Sequence, residues 1–452
     1  MKVFFTNLGC KLNQAEVDRL SRQFLAAGHT LAPALDEAEL HVVNSCTVTH
    51  LAARDSRKIS RRGRRLNPEM KTVLTGCYAT EQPTEAEALE GVDLLVTNEV
   101  KDELLERVHL AFPEHVPAGL DAEVPIPYVP LDFGHARAMV KVEDGCNMKC
   151  SFCIIPSTRG RQRSRSVEDV VHEVQALTDG GYREIVITGV QISEYDHDGR
   201  RLYDLVSALL ERTTAPRLRL TSIAPWKFDD RLLELWQDSR LCRHIHMSLQ
   251  SGCSATLKRM RRPYSADQYA ALADKLRTHI PGLALTTDVI VGFPGETDEE
   301  FAQSLAFVEK MAFARPHIFT FSPRAGTHAE TLPDPVDHHV KKERTAAMIA
   351  VGDATERAFR ESFLGQVLPV VWEEKRRGRW TGLTDNYIRV VTDVDGDLAG
   401  EAGFCELLRL DGNGVLGRPI VQRDPELEHL QAERARIGGG AVGGRVGLPV
   451  IA

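Results

Sequence analysis

The 452-residue chain has no apolar run approaching the roughly 18 residues that a membrane-spanning helix needs. It does not open as a signal peptide either: MKVFFTNLGC carries one lysine and a short apolar run before polar residues return. A cytoplasmic protein with no membrane partner is therefore expected. An excess of positive charge is also missing, since 56 Lys and Arg stand against 64 Asp and Glu, a net charge of −8. On that balance alone nothing points to a nucleic-acid partner. Cysteine is not enriched, nine residues in 452 being an unremarkable frequency, and in a reducing compartment these are poor disulfide candidates. No solenoid-type repeat is present. What the chain does have is an ordinary globular composition, 42% hydrophobic and 27% charged, which excludes wholesale disorder. Its length allows for about two to four domains.

The first 111 residues read as alternating strands and helices. Strand-like runs at 3–6, 40–44, 72–75 and 93–97 are separated by helix-like stretches near 13–27, 50–66 and 83–90, with another at 100–111. Short continuous apolar runs alternating with helices imply a doubly wound parallel sheet covered on both faces. A proline-rich segment, 112–131, reads as a linker. A second βα series spans 132–362, with candidate strands at 138–143, 184–189, 217–222, 244–250, 285–293 and 317–322. Six βα units fit a partial barrel better than a closed eight-unit one, and its chemistry should sit on the loops after the strands. Residues 363–422 carry short β-like runs between Gly and Asp turns and read as a small β-barrel. The glycine-rich end, 423–452, reads as a flexible tail.

Six of the nine cysteines fall into two sets of three. Cys146, Cys150 and Cys153 lie in EDGCNMKCSFCIIPSTRG, directly after the first barrel strand. Their spacing lets one loop wrap three thiolates around a metal centre. A zinc site would want a fourth ligand, and none lies nearby. Three thiolates with an open position suit a 4Fe-4S cluster instead. Cys10, Cys46 and Cys77 are 36 and 31 residues apart, yet each follows a strand of the first sheet. Strand C-termini in such a sheet share one edge, so these three can meet as a second three-thiolate site. Cys242, Cys253 and Cys405 have no such partners and read as buried or incidental.

At its CxxxCxxC loop the chain resembles the radical S-adenosylmethionine (SAM) superfamily. The motifs LGCKLNQAE (8–16), NSC (44–46), TGCYA (75–79), GCNMKCSFCIIPSTRGRQRSR (145–165), SLQSGC (248–253), VGFPGET (291–297) and FSPRAGT (321–327) together resemble the methylthiotransferase family over about 1–422. NSC stands where NTC is commoner, and Cys253 stands where Ser is usual; neither change touches a ligand. The resemblance implies two 4Fe-4S clusters, on Cys10/Cys46/Cys77 and on Cys146/Cys150/Cys153. It implies SAM as both methyl donor and radical source, and a TRAM-like C-terminal module. It also implies an external electron donor of flavodoxin or ferredoxin type, and a sulfur donor the residues do not identify. Phe152 takes the aromatic position near the SAM adenine, or simply packs beside the cluster. Gly189, Gln250 and Gly292 are the further candidates for SAM contact, each with a bland alternative as a turn glycine or structural amide.

The family divides between adenosine beside the tRNA anticodon and an aspartate of a ribosomal protein. LGCKLNQAE looks most like the subgroup acting on N6-threonylcarbamoyladenosine, a distinction carried by Lys11 and Gln14, rather than the isopentenyladenosine or ribosomal-protein subgroups. The position of charge supports RNA where its total did not. Residues 54–65 hold seven Lys and Arg against one Asp, 159–165 hold four Arg, and 258–262 hold four basic residues. The first two follow cysteine loops, which suits phosphate contact. In the β module, Lys375, Arg376, Arg377 and Arg379 lie close to Trp372 and Trp380, which either stack on bases or pack. A non-catalytic metal-cluster RNA scaffold is the reading of a different class.

Overall fold

The apolar runs of the N-terminal region become strands buried on both faces, as continuous hydrophobic strands must. The computed structural model describes residues 1–47, 50–117 and 136–420. β1 (Lys2–Asn7), β2 (Thr30–Leu31), β3 (Leu40–Ser45), β4 (Lys71–Gly76) and β5 (Leu94–Val96) form one parallel sheet in the order β2-β1-β3-β4-β5. Phe5, Val17, Phe24, Val42 and Leu104 fill one side of it, and Val43, Leu74, Tyr78 and Leu89 fill the other. Helix α1 (Lys11–Ala26) follows β1, α2 (His50–Ser60) follows β3, and α3 (Cys77–Glu81) follows β4 without a gap. The helix expected at 83–90 thus has a forerunner at Cys77; Pro83 starts a second short helix, where its missing N–H costs nothing. The helix expected over 50–66 is broken at Arg61.

The central region is an open barrel. Its strands are β6 (Arg137–Lys141), β7 (Glu184–Thr188), β8 (Leu218–Leu220), β9 (His244–His246), β10 (Ala284–Val291) and β11 (Arg315–Thr320). They run parallel as two triplets. The triplets are joined by single parallel bridges, Leu218 to Leu241 and Ile223 to Met247. Ala138, Val140, Ile185, Ile187, Leu218, Ile245, Leu285 and Val289 point to the helical layer and make the largest core. By the period-two rule, the residues between them face the lumen. Several helices start on side chains legible in the sequence: Ser166, Ser265 and Thr297 each accept a backbone N–H three residues on.

Three expected strands are clearly shorter than their apolar runs, among them 217–222, which pairs only over Leu218–Leu220. The first stops at Lys141, because Glu143–Asp144 pair antiparallel with Arg163–Ser164 and close the cysteine loop into a ribbon. The fourth keeps regular pairing only over His244–His246, and Gln250 adopts a left-handed φ of 73°.

Helix α5 (His338–Glu361) leads into the C-terminal module. There β12 (Val367–Arg376), β13 (Arg379–Thr384), β14 (Arg389–Thr392), β15 (Ala402–Asp411) and β16 (Gly414–Ile420) form a closed barrel in the order β12-β13-β14-β16-β15. Most of the proline-rich linker and all of the 423–452 tail lie outside the described residues. Among the described residues, no helix is long and apolar enough to cross a membrane.

Candidate active site between two cysteine loops

The loop after β6 turns at Gly145, which has φ 75° and packs so closely on the Arg161 carbonyl that no side chain fits. Within the loop, the Met148 N–H donates to Cys146 Sγ at 3.4 Å and the Ile155 N–H to Cys153 Sγ at 3.5 Å. Arg262 Nη1 donates to Cys150 Sγ at 3.2 Å. Ser151 anchors the loop to the 258–262 segment through its N–H to the Met260 carbonyl at 3.1 Å and its hydroxyl to the Arg259 carbonyl at 2.9 Å. Burial pushes the Cys153 thiol up to about 12, and the neighbouring Cys150 and Cys146 add to the shift. Burial also raises Cys146. Three sulfurs provided with N–H donors, with Cys146 and Cys153 disfavoured as free thiolates, fit a cluster that supplies the compensating positive charge. Among the described residues, no three His, Cys, Asp or Glu converge as ligands of a single ion.

The second set gathers along the C-terminal edge of the N-terminal sheet. Cys10 stands at the N-terminus of α1, its Sγ 3.7 Å from Asn13 Oδ1. Gly9 has φ 102°, and a Cβ there would lie 2.8 Å from both Cβ and Sγ of Cys46, so only glycine lets these two segments meet. Asn13 Nδ2 donates to the Leu8 carbonyl at 2.6 Å and the Ser45 carbonyl at 3.1 Å, tying the first two cysteine loops together. Asn98 Nδ2 reaches Cys77 Sγ at 3.7 Å and the Thr158 carbonyl at 2.8 Å, so one amide touches both the N-terminal site and the segment after Cys153.

Next to Thr158, on the short helix α4 (Ile155–Arg159), Arg159 crosses the same boundary. Its guanidinium donates to Glu16 Oε1 and Asp144 Oδ1, both at 2.9 Å, and to Asn13 Oδ1 at 2.5 Å. Lys101 and Lys141 complete the ring around Glu16 at 2.8 and 3.2 Å. Burial alone would raise the Glu16 carboxyl, but Arg159, Lys101 and Lys141 outweigh it and hold the group well below the usual range. Nothing in the residue pattern at Glu16, Asn98 or Lys101 marks them in advance, because their partners are distant in sequence.

This pairing corrects the expectation for three of the four Arg in 159–165, whereas Arg161 is exposed and forms no ion pair among the described residues. Arg159, Arg163 and Arg165 are bound to Glu16, Asp144 and Glu173 rather than presented to phosphate. Arg259 likewise pairs with Glu300. In 54–65, by contrast, Lys58, Arg61, Arg62 and Arg65 are exposed and form no ion pair among the described residues. Trp372 and Trp380 are core residues of the C-terminal barrel at 2% and 5% exposure, so they pack and do not stack on bases. Cys242, Cys253 and Cys405 are buried.

Around the barrel cysteines, Phe152 packs with Met260, Phe293 and Phe321. Gly189 admits the Glu143 carboxylate, whose Oε2 lies 2.7 Å from where a Cβ would stand. Burial pushes Glu143 up to about 8, and its Oε1 is buried without a hydrogen bond among the described residues. Gln250 bonds β10 through its backbone, N–H to the Asp288 carbonyl and carbonyl from the Ile290 N–H, both at 2.8 Å, leaving its side-chain amide unengaged among the described residues. Gly292 packs under Lys341. An orphaned carboxylate oxygen and an unengaged amide beside three cysteines fit the amino and hydroxyl groups of SAM.

Similarity to known proteins agrees with this geometry. Residues 140–308 match the radical SAM superfamily, and residues 2–97 match uncharacterized protein family UPF0004. The chain is 36% identical to the threonylcarbamoyladenosine tRNA methylthiotransferase MtaB of Bacillus subtilis (strain 168), over 95% of this chain and 99% of that protein. This chain belongs to the radical SAM methylthiotransferase family. Within the family it is of the MtaB type, with 36% identity also to the Aquifex aeolicus (strain VF5) MtaB over 86% of this chain and 96% of that one. The chain is also 30% identical to the tRNA-2-methylthio-N(6)-dimethylallyladenosine synthase of Methylacidiphilum infernorum (isolate V4), over 93% of this chain and 95% of that one. In fold, the methylthiotransferase chain is similar to the radical SAM methyltransferase TsrM of Kitasatospora setae, with a TM-score of 0.54 at 15% identity, covering 73% of this chain and 77% of that one.

Proposed function

We propose that this methylthiotransferase adds a methylthio group to carbon 2 of N6-threonylcarbamoyladenosine beside the anticodon of tRNA. The observation that carries the two-site reading is Asn98, whose amide contacts Cys77 on one side and the Thr158 carbonyl on the other. It supports two 4Fe-4S clusters facing each other, one on Cys10, Cys46 and Cys77 and one on Cys146, Cys150 and Cys153. When bound, these groups and SAM supply the sulfur-methyl donor and the carbon radical that an unactivated C–H bond requires. The chain supplies placement. Arg159 and Asn98 hold the two loops in register, Arg262 and two backbone N–H groups steady the barrel sulfurs, and Glu143 with Gln250 offers polar contacts to SAM. Phe152 closes the apolar side. The exposed Lys58, Arg61, Arg62 and Arg65 beside the N-terminal site suit the RNA backbone. An electron donor of flavodoxin or ferredoxin type and a sulfur donor complete the reaction, in the cytoplasm.

The substrate assignment follows the relatives of highest identity reported above, which are named for threonylcarbamoyladenosine. Mass spectrometry of tRNA nucleosides from cells with and without the gene tests it. Loss of the 2-methylthio form of threonylcarbamoyladenosine on deletion is the expected result. Persistence of that nucleoside in a strain without a paralogue, or loss of the 2-methylthio isopentenyl form instead, sinks the assignment.

A further inference from the structure

The floor of the barrel lumen holds a group of side chains that neither cysteine site uses. The turn joining β13 to β14 docks on the N-terminal ends of β8 and β9, where Arg219 donates to the carbonyls of Thr384 and Asp385 at 3.0 Å and Arg243 pairs with Asp385 at 2.6 Å. This docking delivers Tyr387, whose ring stacks on His244 with centroids 4.1 Å apart and planes 7° apart. Lys11, the residue after Cys10, enters from the N-terminal domain and places its ammonium 5.5 Å from the centre of the Tyr387 ring.

His317 faces the same space from β11. Its ring is 5.9 Å from that of His246, which in turn lies 3.2 Å from Asp288 Oδ2. Arg262, bonded to Cys150, has its charge felt at Asp288, so these lumen groups form a column from the barrel cluster down to Lys11. Burial brings His317 down to about 4, which makes it a neutral ring at pH 7. Among the described residues, Lys11 has no carboxylate partner and the Tyr387 hydroxyl has no hydrogen bond.

Asp288, the carboxylate that His317 meets across the strand pair, is engaged by His246, and Lys11 has no carboxylate among the described residues. A cation, a phenolic O–H and a neutral imidazole around one space make a receptor for a small carboxylate. We infer that Lys11, Tyr387 and His317 bind the carboxylate of the threonylcarbamoyl group, an inference that rests on the substrate reading above. The adenine would then lie higher in the lumen, toward the cysteine loops. An uncharged isopentenyl group would leave the Lys11 ammonium partly desolvated and unpaired, so the same contact discriminates against it.

The test is equilibrium binding of anticodon stem-loop RNAs to the full-length, anaerobically reconstituted protein. One RNA carries N6-threonylcarbamoyladenosine and another its methyl ester, which has the same shape without the charge; a third carries unmodified adenosine. Wild type should bind the acid at least about tenfold more tightly than the ester, about 1.4 kcal/mol. Lys11→Met should bind the two alike, and Lys11→Arg should restore a preference for the acid. Each ratio is taken within one protein, so poor folding or partial iron loading affects both RNAs and cancels. Equal affinities in wild type, or a full preference retained by Lys11→Met, overturn the carboxylate site. If wild type converts the threonylcarbamoyl RNA while binding acid and ester equally, only this inference falls. If it neither prefers that RNA to the unmodified one nor converts it, the substrate reading falls as well.

Discussion

Arg159 and Glu16 meet at 2.9 Å across the boundary between the two cysteine-bearing domains, and both side chains are almost wholly buried. One belongs to the segment that follows Cys153, the other to the helix that follows Cys10. Their contact fixes how the two proposed cluster sites face each other, because each charge needs the other to be tolerated out of water.

Breaking this pair from one side should be costly. Arg159→Gln leaves Glu16 with Lys101, Lys141 and the Asn44 amide, and is expected to lose roughly 3 kcal/mol of stability in chemical denaturation. The double variant Glu16→Gln/Arg159→Gln should lose clearly less than the sum of the two single losses. Strict additivity would show that the two residues are not coupled.

The cysteine sets should empty independently. With two 4Fe-4S clusters, reconstituted wild type should hold about eight irons per chain. Replacing Cys10, Cys46 and Cys77 with Ala should leave about four, still able to cleave SAM, and replacing Cys146, Cys150 and Cys153 should leave about four that cannot. Either single triple variant lacking methylthiolation is expected; full activity without the Cys10 set would remove the second cluster from the mechanism. About one zinc in place of iron would remove the radical reading altogether.

Gly9→Ala combines a φ of 102° with a Cβ 2.8 Å from the Cys46 sulfur. Iron bound at the N-terminal site should fall sharply while the barrel site keeps its own, as read by iron content in the Cys146/Cys150/Cys153→Ala background and in its converse. Unchanged loading at the N-terminal site would mean that the close approach of Gly9 to Cys46 is not needed to form it.

The pH dependence of stability has a definite sign at His41, which is buried against Thr6 at 2.8 Å and faces Arg62. Burial, reinforced by Arg62, lowers its pKa to about 3. The unfolded chain takes up a proton near pH 6.5, so the contribution of neutral His41 is complete above that value. It is lost as pH falls toward 3, by up to about 1.4 kcal/mol per pH unit. His41→Gln should flatten the decline of the denaturation midpoint between about pH 6.5 and 5. An unaltered slope would assign the decline to other groups.

The grouping of six cysteines into two sets of three just after strands, the alternation of strands and helices, the six-strand open barrel and the closing β-barrel were all legible in sequence. Each rests on short-range rules: apolar runs of strand length, serine and threonine caps, and cysteines placed just after strands. A peptide of a few residues already carries that information. Tertiary structure decided which charges are spent inside the protein. Arg159, Arg163 and Arg165 look like a phosphate-binding run but are paired with Glu16, Asp144 and Glu173, all of which lie on other elements. It also decided that Trp372 and Trp380 are core, and that Lys11 and Tyr387, 376 positions apart, share the floor of the barrel. Local pattern sets what each segment forms. Partners for buried charge are chosen only when distant segments are brought together, because the penalty for leaving a charge unpaired exists only once water has been excluded.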